Sequence, residues 1–181
     1  CFMPLVNPDG VDLVLGRLGQ SETASARKIA RNFPAIPFPD GWKANLQGTD
    51  LNLQYPANWE KAKEIKFAQG YTGPAPRDYV GPYPLSAPES RALAAFTQAG
   101  SPDVTLSLHT QGEVIYWRFA DFDPPGAQAL GEKLAEASGY ALSETPPVRD
   151  SAGYKDWFIQ DWNLPGYTIE MGLGENPLPI S

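Results

Sequence analysis

Histidine and cysteine are almost missing from this 181-residue sequence, which holds one of each, His109 and Cys1. A lone cysteine cannot close an internal disulfide, which fits a reducing compartment or a protein that holds its fold without one. No HxxH, HxxE or CxxC pair occurs, so no short motif supplies two metal donors together. Long apolar runs are also lacking, and nothing approaches the roughly 18 residues of a spanning helix. There is no basic cluster, and the net charge is −7, which argues against a nucleic-acid partner. An acidic balance serves solubility and equally suits a site that handles cationic groups.

What is present reads as globular: 42% hydrophobic and 19% charged residues in a length suited to one domain, residues 1–181. Gly and Pro (17 and 19 residues) are spread along the chain, as expected of shaped loops on an α/β frame. The opening Cys1-Phe2-Met3-Pro4-Leu5-Val6 is apolar and lacks an initiator Met. It reads as a buried strand over residues 2–6, already under way, and carries the expectation that upstream sequence is missing.

Asn7-Pro8-Asp9-Gly10 is a turn signal. Residues 21–31 are helix formers, and residues 32–88 form a long irregular stretch dense in Pro, Gly, Asn and aromatics. Such stretches in compact domains are usually functional loops. Ser86-Ala87-Pro88-Glu89 has the pattern of a capping box and predicts a helix over 90–98 that stops at Gly100. Strands are expected at 103–108, 114–119 and 167–171, with helices at 126–138 and 154–162. Strands separated by helices imply an α/β class with a mixed, largely parallel central sheet flanked by helices.

His109 ends a predicted strand, where ligand sites of α/β sheets gather. A single histidine is as readily structural, and it supplies only one metal donor. Glu170 stands between apolar neighbours in a predicted strand, where a carboxylate must be paired, used or solvated. Lys43 offers a cation for a developing oxyanion, or a solvent-facing charge. Asp50 and Asp156 are candidates for orienting other groups, or members of ordinary salt bridges.

Taken in order, these pieces resemble the zinc carboxypeptidase superfamily. The likeness lies in Asn7-Pro8-Asp9-Gly10, in Trp42-Lys43-Ala44-Asn45 with Gly48-Thr49-Asp50-Leu51-Asn52, in Leu106-Ser107-Leu108-His109 and in Thr168-Ile169-Glu170. Within it, Asp50 through Glu60, Gly73 through Tyr79, Gly81 through Glu89 and His109-Thr110-Gln111-Gly112-Glu113 are most similar to bacterial γ-D-glutamyl-L-diamino acid peptidases. The resemblance implies an α/β/α zinc-peptidase fold and one zinc ion bound by His109, with two further ligands from an HxxE motif upstream of Cys1. It implies Glu170 and Lys43 as catalytic residues. Asn52, Leu53, Thr110, Gln111 and Arg149 are the implied substrate-binding positions, and short peptides or muropeptides the implied substrates.

Two departures qualify the likeness. Leu53 stands where digestive-type members carry an arginine for a terminal carboxylate, and where the diamino-acid peptidases carry an acidic residue. A leucine cannot pair with a carboxylate, so C-terminal exopeptidase specificity is not expected; Arg149, next to Val148, is expected to take a substrate carboxylate instead. The HxxE motif is absent, so this chain is expected to be a partial catalytic domain, inactive by itself. The alternatives are a non-catalytic member that binds cell-wall peptides and an ordinary metallocarboxypeptidase. Bacterial cytoplasm and cell envelope both remain open.

Overall fold

Asn7 is where the chain first commits to regular structure. In the computed structural model, which describes residues 1–146, 151–176 and 178, its side chain accepts a hydrogen bond from the Gly10 amide (3.0 Å) and caps helix α1, Pro8–Val14. The Asn-Pro-Asp-Gly signal is therefore a helix start and not a turn: Pro8 takes the first helical position, where its missing N–H costs nothing. The expected strand over residues 2–6 is also corrected. That segment has no ladder partner among the described residues, and Phe2 is 79% exposed. A strand exists only by pairing, so apolar composition alone does not make one.

The described chain forms two compact units, Cys1–Ser101 and Pro102–Ser181. In the first, α2 (Gln20–Ala30) presents Ala26 and Ala30, four residues apart, to a small core with Leu13, Trp42 and Ala44. The stretch expected to be irregular contains a helix, α3 (Trp59–Ala68). Its hydrophobic pattern is weak, and only Trp59 and Ala62 are buried. Helix α4 (Pro88–Gly100) buries Ser90, Ala94 and Thr97 along one stripe. The expected capping box does not form. Ala87 occupies the cap position, and the Ser86 hydroxyl instead donates to the Gln54 side chain (3.0 Å).

Gln54 explains how a Pro- and Gly-rich stretch stays ordered. Fully buried, its amide donates to the Val80 carbonyl and accepts from Ser86 and from the Ala87 backbone N–H (2.8 Å). Every polar atom of that side chain is used, as burial demands.

Among the described residues the second unit is built on a four-stranded sheet: β1 (Thr105–His109), β2 (Val114–Tyr116), β3 (Ala141–Ser143) and β4 (Gly166–Glu170), in the order β1-β4-β2-β3. β1 with β4 and β2 with β3 are parallel, and β2 with β4 is antiparallel, so the expected mixed and largely parallel sheet is present. The three-residue β3 was not anticipated, being too short for alternation to show. Helix α5 (Ala127–Ser138) and helix α6 (Tyr154–Trp162) lie on opposite faces of the sheet. Tyr167 joins the α5 core with Ile115, Trp117 and Ala127, whereas a Cβ at its neighbour Gly166 would meet Phe158 and Ile159 of α6 at 3.3 Å. Successive strand residues face opposite sides.

Tyr167 is completely buried; its hydroxyl donates to the Ala127 carbonyl (2.6 Å), and burial pushes its pKa up to about 12. Gly131 lets α5 approach this closely, because a Cβ there would stand 2.8 Å from Leu142 Cδ1 and 3.3 Å from the Tyr167 ring. Lys155 and Asp156 of α6 form a buried ion pair at 2.6 Å. Lys155 Nζ also donates to the Arg118 carbonyl (2.6 Å) and to Thr145 Oγ1 (3.2 Å), while Asp156 Oδ2 accepts from the Gly153 amide at the helix start (3.1 Å).

Candidate active site

The chemistry-bearing residues of the second unit meet at one end of the β1–β4 pair. The parallel ladder sets His109 directly opposite Glu170, and the antiparallel ladder sets Val114 on the other side of Glu170. Residues in register on neighbouring strands, about 4.8 Å apart, project to the same face. His109 and Glu170 are thus side-by-side neighbours at the strand ends, each half-buried. Both positions follow from the Thr-Leu-Ser-Leu-His and Gly-Tyr-Thr-Ile-Glu segments ending at one level of the sheet.

Because β4 lies between β1 and β2, the four residues 110–113 must pass over the end of β4. Gly112 has φ +146, a conformation that side chains rarely adopt, and a Cβ there would lie 3.8 Å from the Glu170 Cβ. The Gly112 amide donates to the Gly172 carbonyl (2.8 Å), and the Met171 amide donates to the His109 carbonyl (2.8 Å). The Thr110–Gln111 peptide is cis. Thr110 is exposed and Gln111 half-buried. The Thr110 hydroxyl donates to Asn176 Oδ1 (2.8 Å), and Asn176 Nδ2 donates to the Thr110 carbonyl (3.0 Å).

His109 and Glu170 set an imidazole beside a carboxylate at this end of the sheet. Zinc in proteins takes three or four donors, and no group of three His, Cys, Asp or Glu that could hold a metal occurs among the described residues. His109 has the chemistry of a ligand, and among the described residues no two further donors are grouped with it.

Lys43, Asn52 and Leu53 belong to the first unit. Lys43 is exposed, and its amide donates to the Pro76 carbonyl (2.8 Å). Asn52 is exposed and Leu53 half-buried, in a short 3₁₀ turn, Leu51–Leu53, that starts at Asp50. The carboxyl of Asp50 is enclosed although the residue is only half-buried, and it accepts from the Asn52 amide (3.2 Å) and the Asp78 amide (2.9 Å). Burial pushes Asp50 above the usual carboxylate range. At Asp78 burial acts in the same direction, but Lys66 (2.5 Å) and Arg77 (2.7 Å) outweigh it and hold this carboxyl low. Asp50 and Asp156 are thus both engaged locally. Arg149 and Val148 lie outside the described residues.

Sequence reading overlooked Asn176 and Tyr140, whose hydroxyl accepts from the Gly172 amide at 3.4 Å. The Asn-Pro pair at 176–177 was the available signal, since Asn before Pro favours a turn held by its side chain.

The sequence pattern of the zinc carboxypeptidase family matches residues 1–180. Over 180 residues the chain is 46% identical to γ-D-glutamyl-L-diamino acid endopeptidase 1 of Lysinibacillus sphaericus, covering 99% of this chain and 44% of that protein. It is 29% identical over 134 residues to murein peptide amidase A of Escherichia coli K12, covering 72% of this chain and 51% of the relative. A crystal structure of murein-tripeptide amidase from Escherichia coli O157 superposes with a TM-score of 0.56 at 23% identity, over 96% of this chain and 58% of that one, which shows a shared fold. The chain spans about half the length of the curated relatives it matches. With the matching pattern running through nearly every residue, including both strands that end at His109 and Glu170, the chain belongs to the zinc carboxypeptidase family.

Proposed function

We propose that this chain is part of a zinc peptidase that hydrolyses peptide bonds in short peptidoglycan stem peptides, of the γ-D-glutamyl-diamino acid type. The in-register placement of His109 beside Glu170 carries the reading. The 46% identity to a γ-D-glutamyl-L-diamino acid endopeptidase supports the choice of substrate.

His109 is proposed as one metal ligand, with the remaining donors outside the described residues. When bound, zinc supplies a Lewis acid and makes water a stronger acid at neutral pH. Glu170, half-buried at the strand end, takes a proton from the attacking water and passes it to the departing amine. The water oxygen joins the carbonyl carbon, and the C–N bond breaks. Lys43 is proposed as the cation facing the developing oxyanion, on the resemblance of its segment to the family pattern. Asn52, Leu53, Thr110, Gln111 and Arg149 are proposed to line the substrate site. The expectation of one partial catalytic domain over 1–181 is kept as part of this proposal.

A second reading, a cell-wall peptide binder without activity, is favoured by the incomplete donor set among the described residues. The test is to assay the whole protein, with its zinc content measured, on a muropeptide and on an ordinary peptide with a free C-terminus. Cleavage of the muropeptide at the γ-D-glutamyl bond with about one zinc per chain is expected. Binding without cleavage in zinc-loaded protein would establish the second reading. Preferential cleavage of the ordinary peptide would make it a plain carboxypeptidase.

A further inference from the structure

The loop that follows Glu170 is fastened to the loop that follows His109, and the fastening joins Thr110 to Asn176, a residue with no other described role. Thr110 Oγ1 donates to Asn176 Oδ1 (2.8 Å), and Asn176 Nδ2 donates back to the Thr110 carbonyl (3.0 Å). Both atoms of one carboxamide are thus satisfied by a single residue, 66 positions away in sequence. Leu178 supplies a second fixing point. Leu178 rests over Gly172 and Gly174, where an added Cβ would come within 3.0 and 3.1 Å of its methyl groups. Those glycines have φ +72 and +135, so a side chain at either would be strained by conformation, and the Leu178 methyl groups would have to shift to admit it. The Gly112–Gly172 and Met171–His109 backbone bonds extend the pairing past the end of β4.

The β1–β4 ladder already holds His109 and Glu170 in register through five residue pairs. What the Asn176 clasp adds is the position of residues 171–176 beside that pair. We infer that Asn176 is a positioning residue of this site, holding the loop after Glu170 against residues 110–113 as a prebuilt wall for the substrate. The inference rests on the function proposed above.

The chemistry of the clasp predicts which replacements fail. It requires an acceptor and a donor side by side, which asparagine supplies. Asn176→Asp keeps the acceptor but sets a carboxylate oxygen against the Thr110 carbonyl. Asn176→Ala removes both bonds. Thr110→Val removes one and leaves the carbonyl, while Thr110→Ser keeps the hydroxyl.

In the whole zinc-loaded protein, Asn176→Ala and Asn176→Asp should raise KM for a muropeptide about tenfold with kcat within about twofold, the signature of lost substrate binding. Thr110→Val should raise KM less, Thr110→Ser should raise it less than Thr110→Val, and Asn176→Ala with Thr110→Val should be no worse than Asn176→Ala alone. Amide exchange at residues 171–176 should quicken in the weakened variants while the β1 and β4 amides stay protected. An unchanged KM in Asn176→Ala would overturn the inference. So would losses that follow the thermal midpoint or zinc content, or effects that multiply in the double variant. If the parent cleaves no peptide, the proposed function falls and the substrate role falls with it. The exchange measurement then decides the clasp separately, and unchanged exchange in Asn176→Ala would refute it.

Discussion

His109 and Glu170 are paired residues in the β1–β4 ladder, so the backbone itself sets how far apart their side chains start. Replacing either side chain should leave that spacing intact and remove only its chemistry. Glu170→Gln in the whole protein should lower kcat by about 10²–10⁴-fold, the usual contribution of a positioned acid–base group, with zinc per chain unchanged. Turnover near the parental rate would refute the role of Glu170.

His109 should respond in the opposite way. His109→Ala is expected to weaken zinc binding by more than the about 10–100-fold that follows loss of a ligand's hydrogen-bond partner. Competition against a chromophoric chelator reads this directly. Stripping the parent with chelator should abolish cleavage, and added zinc should restore it. Equal zinc affinity in the variant and the parent would exclude His109 as a ligand.

The Lys155–Asp156 pair should matter to stability and little to catalysis. Both side chains are about 5% exposed or less, so Lys155→Met leaves a carboxylate without its counter-charge. Breaking a buried pair from one side costs about 3–5 kcal/mol. Lys155→Met with Asp156→Asn should recover much of that loss, because the amide can still accept from the Gly153 N–H. Urea unfolding of the three proteins measures both statements. A double variant no better than Lys155→Met would show that the lost contacts to Arg118 and Thr145 outweigh the charge.

Asp78 gives a pH dependence of definite sign. Its carboxyl is held low by Lys66 and Arg77 against the opposing effect of burial. The folded state therefore binds this proton less readily than the unfolded chain. The stabilisation is complete above an unfolded pKa of about 3.9 and is lost as pH falls through the lower folded value. Asp78→Asn should cost about 1–2 kcal/mol at neutral pH, between a surface pair and a buried charge-assisted bond. Its stability should also fall less steeply below about pH 4. Asp50 runs the other way: burial raises its pKa, so its contribution declines as pH rises through the folded value. Unfolding curves from pH 2 to 7 separate the two.

Much of the second unit was legible because periodicity and punctuation agree there. Tyr154–Trp162 is helical with the expected bounds, and α5 ends against Gly139 as its sequence implies. The register of β1 against β4 was not legible, since pairing is a tertiary choice that no local pattern encodes. In the first unit, local signals misled wherever tertiary partners decide. Ser86 has the residues of a cap but is drawn to buried Gln54, and the apolar run at 2–6 finds no neighbouring strand. His109 and Glu170 were expected as site residues from their strand positions and from motif resemblance, whereas Asn176 was overlooked because a clasp between loops has no sequence period.

The strand order has a consequence for how this unit is assembled. Among the described residues β4 is the last strand, yet it lies between β1 and β2, which come some fifty residues earlier and are joined by only four residues. During synthesis β1 and β2 emerge with a gap one strand wide between them, and β4 arrives only some fifty residues later. Closing this sheet is a long-range, late event of the kind that slows folding and leaves strand edges exposed meanwhile. A ribosome stalled before residue 166 would therefore display two unjoined edges, a substrate for chaperones rather than half of a sheet.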